Sequence, residues 1–184
     1  MEKKMAIETK NIIIRESTFE DCAFFAECES TKAISDRFSI DNGWCKEDIE
    51  EEFCRRKNSG DGSDLQFTII LKKTMKPIGR LFTPFDRKKE HLHIDWFYIG
   101  KEEYRGIGYG EEALRGFLDH CFRELNLERV SIDHFLDNHI AACLYKKVGF
   151  VKEGILRHYT KKNDEFFDLM LLSMLREEYI KSNP

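Results

Sequence analysis

Nowhere in this chain do apolar residues run on for the roughly 18 positions that a membrane-crossing helix requires. The opening Met1-Glu2-Lys3-Lys4-Met5-Ala6 also lacks the apolar stretch of a secretory signal. Both absences lead to the expectation of a cytoplasmic protein without a membrane partner. An excess of basic charge is missing too. Thirty Lys and Arg against 34 Asp and Glu give a formal net charge of −4 and a pI near 5.9, which leaves no footprint for nucleic acid. The six cysteines, at positions 22, 28, 45, 54, 121 and 143, include no C-x-x-C pair. Cys121 and Cys143 fall inside helical patterns, so they read as small buried hydrophobes of a reducing compartment rather than as a disulfide framework. His91 and His93 stand two apart on one strand but have no third ligand at a suitable spacing, so no metal is expected. No repeat, low-complexity tract or linker divides the chain, which predicts one domain over residues 10–180.

What is present is enough for a core: 41% hydrophobic residues, fifteen Phe among them, in 184 residues. Ile12-Ile13-Ile14 predicts a first strand, closed by Ser17 and Thr18 as a cap for a helix from Phe19 to Glu29, with Cys22, Phe25 and Ala26 on one face. A second helix is expected from Lys46 to Arg56, and residues 58–64 read as a loop. Strands are expected at Phe67–Leu71 and Ile78–Phe82, and a longer one at His91–Ile99. Leu114, Phe117, Leu118, Cys121, Phe122 and Leu125 recur at helical spacing as one buried stripe. A strand at Val130–Phe135, a helix at Ile140–Lys147 and two closing strands at Phe150–Tyr159 and Phe166–Leu175 complete the pattern. The alternation of strand and helix predicts a mixed sheet with helices against it.

The most specific stretch is Tyr104-Arg105-Gly106-Ile107-Gly108-Tyr109-Gly110, set directly before the amphipathic helix. Glycines let the backbone turn tightly and approach a ligand closely, and a helix start offers unpaired N–H groups to an anion. Two known phosphate loops fail here. The dinucleotide fingerprint needs a third glycine where Glu111 stands, and the Walker loop needs a Gly-Lys-Ser/Thr tripeptide that the chain lacks. What remains is Arg105-x-x-Gly108-x-Gly110, followed downstream by Asn138-x-x-Ala141-x-x-Leu144-Tyr145-x-Lys147-x-Gly149-Phe150.

Together these two segments resemble the acetyl-CoA site of the GNAT family of N-acetyltransferases. The likeness is close from Ile94 to Leu175 and looser from Ile12 to Tyr179. It extends to the branch that acetylates ribosomal-protein N-termini, polyamines and aminoglycosides. The resemblance implies an α/β fold with a central, mostly antiparallel sheet, splayed at the acetyl-CoA site and covered by helices on both faces. It implies acetyl-CoA as co-substrate, an amine-bearing acceptor, and a homodimer as a family expectation. Arg105, Gly106, Ile107, Gly108, Tyr109 and Gly110 would hold the pyrophosphate through main-chain N–H groups, with the Arg105 guanidinium near the phosphates and Ile107 and Tyr109 serving shape. The main chain of Phe97, Tyr98 and Ile99 would pair with the pantetheine arm like an added strand. Asn138 would bond the pantetheine or leaving-group region, with Lys147 also at the cofactor.

Tyr145 is the candidate general acid. A phenol with a pKa of about 10 is protonated at neutral pH and can donate to the departing thiolate. Asn138 and Tyr145 are seven residues apart, two helical turns, and so address one ligand. Cys143 lies about 200° away on the same helix, which argues against a cysteine nucleophile. The base stays open among Asp95, Asp133 and His134. Glu47, Asp48, Glu50, Glu51 and Glu52 form an acidic cluster that would rim the acceptor pocket or simply be a solvated face. Asp168 and Glu165 are further candidates to hold a cationic acceptor. The alternative to an enzyme is a non-catalytic acyl-CoA-binding module on the same scaffold.

Overall fold

Short runs of β-branched and aromatic residues, broken by turns, set the framework, and a computed structural model of the chain describes residues 6–38, 44–58, 64–86 and 90–183. The strands are β1 (Ala6–Glu8), β2 (Ile12–Glu16), β3 (Asp64–Leu71), β4 (Lys76–Asp86), β5 (His91–Ile94), β6 (Trp96–Ile99), β7 (Arg129–Phe135), β8 (Val151–Lys162) and β9 (Glu165–Leu175). The helices are α1 (Cys22–Glu29), α2 (Lys32–Ser35), α3 (Lys46–Asn58), α4 (Tyr109–Asp119), α5 (His139–Val148) and α6 (Arg176–Ser182). The predicted helices and strands have counterparts with ends shifted by a few residues, except that the strand expected over His91–Ile99 is divided. The expected loop at 58–64 lies mostly outside the described residues.

The sheet runs β1-β2-β3-β4-β5-β7-β9-β8, with β6 beside β4. All its pairings are antiparallel except β5 with β7. The single strand expected over His91–Ile99 is in fact two, and the reason is a change of partner at Asp95. Before it, Leu92 and Ile94 pair with Val130 and Ile132 of β7. After it, Trp96 to Ile99 pair with Phe82 to Gly79 of β4 instead. Beyond Ile132, β7 continues to Phe135 beside β9. The sheet therefore parts between β6 and the end of β7.

Helices cover both faces. Neighbouring strand residues point to opposite sides, and Ile99 belongs to the core under α4 and α5 while Tyr98 belongs to the one under α1 and α3. On the first side the stripe of α4 supplies Leu114, Phe117 and Leu118, fully buried, and a wide-pitched π turn at His120–Glu124 carries it on to Cys121 and Phe122. On the second, Cys22, Phe25, Ile49 and Phe53 are buried together. One expectation fails here: Cys121 is buried, but Cys143 is exposed. The buried side of α5 is Ala141, Tyr145 and Val148, and a residue two positions from Tyr145 falls on the opposite side.

A buried ion pair pins β4 to α1. Arg80 Nη1 donates to Glu29 Oε1 at 2.7 Å, the Tyr98 hydroxyl donates to the same oxygen at 2.7 Å, and Arg80 Nη2 donates to Gln66 Oε1 at 3.0 Å. The guanidinium also lies 4.4 Å from the Phe25 ring centroid. Removing one member strands the other charge, so Arg80→Met is expected to cost about 3–5 kcal/mol. Urea unfolding checks this through a lower midpoint at unchanged slope; a loss below about 1 kcal/mol would put the pair among ordinary surface contacts.

Candidate active site

Where β6 and β7 part, a cleft of about 1030 Å³ opens through the sheet. One rim is built by the glycine turn. Gly106 and Gly108 have φ of 72° and 101°, the left-handed region in which a side chain is strained, and a Cβ built at either would meet nothing within 4 Å. The positive φ at Gly108 lets the chain swing from β6 directly into α4, whose first helical bond is Glu112 N to Gly108 O at 3.0 Å. The N–H groups of Tyr109, Gly110 and Glu111 precede any partner within the helix. Gly110 differs from Gly106 and Gly108: its Cβ would sit 3.6 Å from Leu144 and 3.7 Å from Ile99, ordinary contacts.

The opposite rim comes from α5. Asn138 caps it, with Oδ1 accepting from Ala141 N at 3.2 Å. Tyr145, one face along, is 5% exposed and lies between the rings of His134 and Phe150, at 5.9 and 6.0 Å. Burial raises its pKa above the ordinary tyrosine value, and the Asp133 charge adds to the shift.

The structure brings Phe97, Tyr98, Ile99, Arg105, Gly106, Gly108, Gly110, Asn138, Tyr145 and Lys147 to this one cleft. It does not bring Ile107, which is 61% exposed, or Tyr109, which packs against the core beneath. Two side chains differ from expectation. The Arg105 guanidinium turns away from the glycine turn to donate to the carbonyls of Ile99, at 2.8 Å, and Gly100. It braces the end of β6. Lys147 Nζ is bound to Glu111 at 2.6 Å, tying α5 to the first turn of α4. That contact, then the one from Arg115, holds the Glu111 carboxyl below the usual carboxylate range.

The far end of the cleft is lined by Arg37, Phe38, His93, Asp95, Trp96, Asp133 and His134. Phe38 stacks on Trp96 at 4.8 Å between centroids. Arg37 reaches Asp137 at 3.4 Å, and Lys162 Nζ donates to Ser35 O at 2.5 Å, so α2 is clasped from both sides. His93 contacts Asp133 through Nε2 at 3.0 Å and Ser131 Oγ through Nδ1 at 2.9 Å. All three candidate bases reach the cleft. The acidic helix does not: α3 contributes none of the described lining residues. Its carboxylates serve the helix itself, Glu52 on Arg55 and Arg56, Glu50 on Lys46, and Asp48 accepting from Cys45 N as a cap. Asp168 is likewise elsewhere, accepting from His158 N at 2.8 Å in a shallower hollow of about 580 Å³. Glu165, at the start of β9, is exposed and outside the cleft. Among the described residues no group of three His, Cys, Asp or Glu is arranged for a metal ion, and no helix is long and apolar enough to cross a membrane.

Sequence reasoning weighed His93 only as a metal ligand and did not single out Arg37, Phe38 or Trp96. A signal for the first existed: His93 alternates with Leu92 and Ile94, and Ser131 and Asp133 with Val130 and Ile132, so these polar residues stand on the strand face away from the apolar ones.

Comparison with known proteins agrees with this geometry. The family model described as the acetyltransferase (GNAT) domain matches residues 11–151. An uncharacterized N-acetyltransferase, p20, of Bacillus licheniformis is 27% identical over 176 residues, covering 93% of this chain and 96% of that protein. The spermidine N(1)-acetyltransferase of Vibrio cholerae is 24% identical over 134 residues, covering 73% of this chain and 75% of that protein. A crystal structure of spermidine N-acetyltransferase from Vibrio cholerae, in complex with CoA and spermine, superposes with a TM-score of 0.81 at 20% identity, over 94% of this chain and 99% of that one. With the family model spanning most of its length and the glycine turn, parted sheet and α5 tyrosine in one cleft, this chain belongs to the GNAT family and is an N-acetyltransferase.

Proposed function

We propose that the protein transfers the acetyl group of acetyl-CoA to a primary amine by direct attack within a ternary complex. The observation that carries this is the parting of β6 from β7, which leaves one main-chain edge of Trp96–Ile99 without a strand beside it among the described residues, in the cleft that the glycine turn and Tyr145 also line. The residues fit the co-substrate: a Cβ at Gly106 or Gly108 would meet only open space, the edge of β6 suits an extended amide-bearing arm, and the start of α4 suits a pyrophosphate. Gly106, Gly108 and Gly110, with the main chain of Arg105, Ile107 and Tyr109, would hold the phosphates. Phe97, Tyr98 and Ile99 would hold the arm, and Asn138 and Lys147 would flank it. Arg105 serves by keeping the carbonyl end of β6 in place. Bound acetyl-CoA supplies the activated acyl group as a thioester.

Tyr145 supplies the proton for the departing sulfur. Its raised pKa keeps the phenol protonated throughout the neutral range, so it enters each turnover as a donor. The acceptor enters from the end of the cleft walled by Phe38, Trp96, Asp95 and Asp133, and two carboxylates there favour a cation. The amine acceptors named for relatives, spermidine among them, are in keeping with this.

The test is release of free CoA thiol from acetyl-CoA with a panel of diamines, amino-acid amides and short peptides. An amine-dependent release with a matching mass gain of one acetyl group is the expected result. Tight acetyl-CoA binding with no amine-dependent release across the panel would favour a non-catalytic acyl-CoA-binding module instead.

A further inference from the structure

The acceptor end of the cleft holds a cluster that the cofactor has no use for. His93 pairs with Ser131 in the parallel ladder of β5 and β7, so His93, Ser131 and Asp133 present their side chains on one face. His93 Nδ1 lies 2.9 Å from Ser131 Oγ, and Ser131 Oγ has a second acceptor, Leu92 O, at 3.4 Å. His93 Nε2 lies 3.0 Å from Asp133 Oδ2 and 3.7 Å from Asp95 Oδ1. His93, Asp95 and Asp133 all line the cleft.

A hydroxyl both donates and accepts. Ser131 can therefore accept from Nδ1–H while its own O–H turns to Leu92 O. An ionised Asp133 only accepts, so without a ligand the 3.0 Å contact is Nε2–H donating to Asp133. When a cation sits against Asp133 and Asp95 the ring proton can rest on Nδ1 instead, and Nε2 with the two carboxylates then supplies three acceptors, as many as a primary ammonium has N–H donors. His134, the next residue along β7, points to the opposite face. Its Nδ1 meets Phe135 O at 2.8 Å, and its buried Nε2 has no hydrogen-bond partner among the described residues.

We propose that His93, Asp133 and Asp95 form the seat of the acceptor ammonium, with His93 as the base that takes its proton. One N–H bond of the ammonium breaks and its proton joins Nε2. The electron pair of that bond stays on nitrogen as the lone pair that attacks the acetyl carbonyl. The C–S bond then breaks with its electron pair on sulfur, and sulfur takes the Tyr145 proton. The second proton of the attacking nitrogen passes to the Tyr145 phenolate, leaving the neutral amide. The imidazolium so formed donates to Asp133 across the 3.0 Å contact, with Asp95 as a second negative charge. Asp133 and Tyr145 both line the cleft, so the seat of the amine and the acid for the leaving sulfur open on one cavity. The only cation lining this end among the described residues is Arg37, which is paired with Asp137. The acceptor class is thus a protonated primary alkylamine. This inference rests on the N-acetyltransferase reading above.

Two acceptors of similar size separate the roles: propylamine, a cation at neutral pH, and trifluoroethylamine, which is uncharged there. His93→Ala is expected to lower kcat with propylamine by about tenfold or more, to lower it far less with trifluoroethylamine, and to leave the acetyl-CoA KM unchanged. Asp133→Asn is expected to raise the KM of propylamine but not that of trifluoroethylamine. Equal losses with both amines would make His93 a structural residue and overturn the proposal, as would no loss with either. A wild type that acetylates neither amine would count against the N-acetyltransferase reading itself. The seat is then read without turnover, by nitrogen NMR of labelled histidine as propylamine is added. A shift of the His93 ring nitrogens that disappears in Asp133→Asn supports the seat, and the absence of any shift overturns it.

Discussion

Gly110→Val is expected to weaken acetyl-CoA binding by ~10³-fold, about 4 kcal/mol, while the protein stays folded. The backbone at Gly110 is helical, and a Cβ there meets Leu144, Ile99 and Phe97 only at 3.6, 3.7 and 3.9 Å. The fold therefore has room for the first carbon of a side chain. The branched methyls of valine would fill the space in front of the α4 N–H groups, where a pyrophosphate must come within hydrogen-bond reach. Titration calorimetry with acetyl-CoA, beside a thermal melt, reads both halves of the expectation. Gly108→Val is the poorer test, because φ of 101° strains any side chain and stability would fall together with binding. Wild-type affinity in a folded Gly110→Val protein would remove the phosphates from the glycine turn.

Tyr145→Phe is expected to lower turnover by ~10²-fold with acetyl-CoA affinity nearly unchanged. The substitution keeps the ring that packs between His134 and Phe150 and removes only the oxygen. Burial disfavours the phenolate, and the Asp133 charge disfavours it further, so the folded-state pKa lies above the ordinary value of about 10. The sign is that of a donor that stays loaded. Loss of this proton cannot produce a falling limb in kcat until the pH passes the ordinary tyrosine range. A wild-type rate in the phenylalanine variant, measured with chemistry rate-limiting, would leave Tyr145 as a packing residue.

That the residues of the proposed cofactor side would lie together was legible in the sequence because they are local. The glycine turn and the first turn of α4 occupy one short stretch, and Asn138 and Tyr145 share one helix with a repeating face. The acceptor side was not legible because it is assembled across the fold. His93 meets Asp133 only through the parallel register of β5 on β7, across forty residues of sequence. The break at Asp95 was invisible for a related reason: hydrophobic alternation does not record a change of hydrogen-bonding partner. β1, α2 and α6 went unpredicted because three, four and seven residues carry too little periodicity to stand out. Arg105 shows a different limit. Its place beside the glycines is plain in the sequence, but the direction of its side chain is decided by the two carbonyls at the end of β6. The acidic run of α3 left two readings open, because a run of carboxylates says nothing about whether its helix faces a cavity or solvent, and none of its described residues lines the cleft.

The parted sheet has a mechanical side as well. β1 to β4 with β6 make one leaf, and β5 with β7 to β9 make the other. The leaves are joined directly by the rungs Phe85–Leu92 and Asp86–His91, by Thr83 Oγ1 donating to His93 O at 2.6 Å and by Asp95 N donating to Phe82 O at 3.1 Å. One apolar core runs beneath both. Near the rim of the gap the contacts are polar latches, Lys147 on Glu111 and Arg37 on Asp137. Exposed pairs of this kind exchange with water at a cost of about 1 kcal/mol or less and weaken as salt rises. Rising ionic strength therefore weakens these two latches, while the hydrogen-bonded seam and the core that both leaves share stay in place.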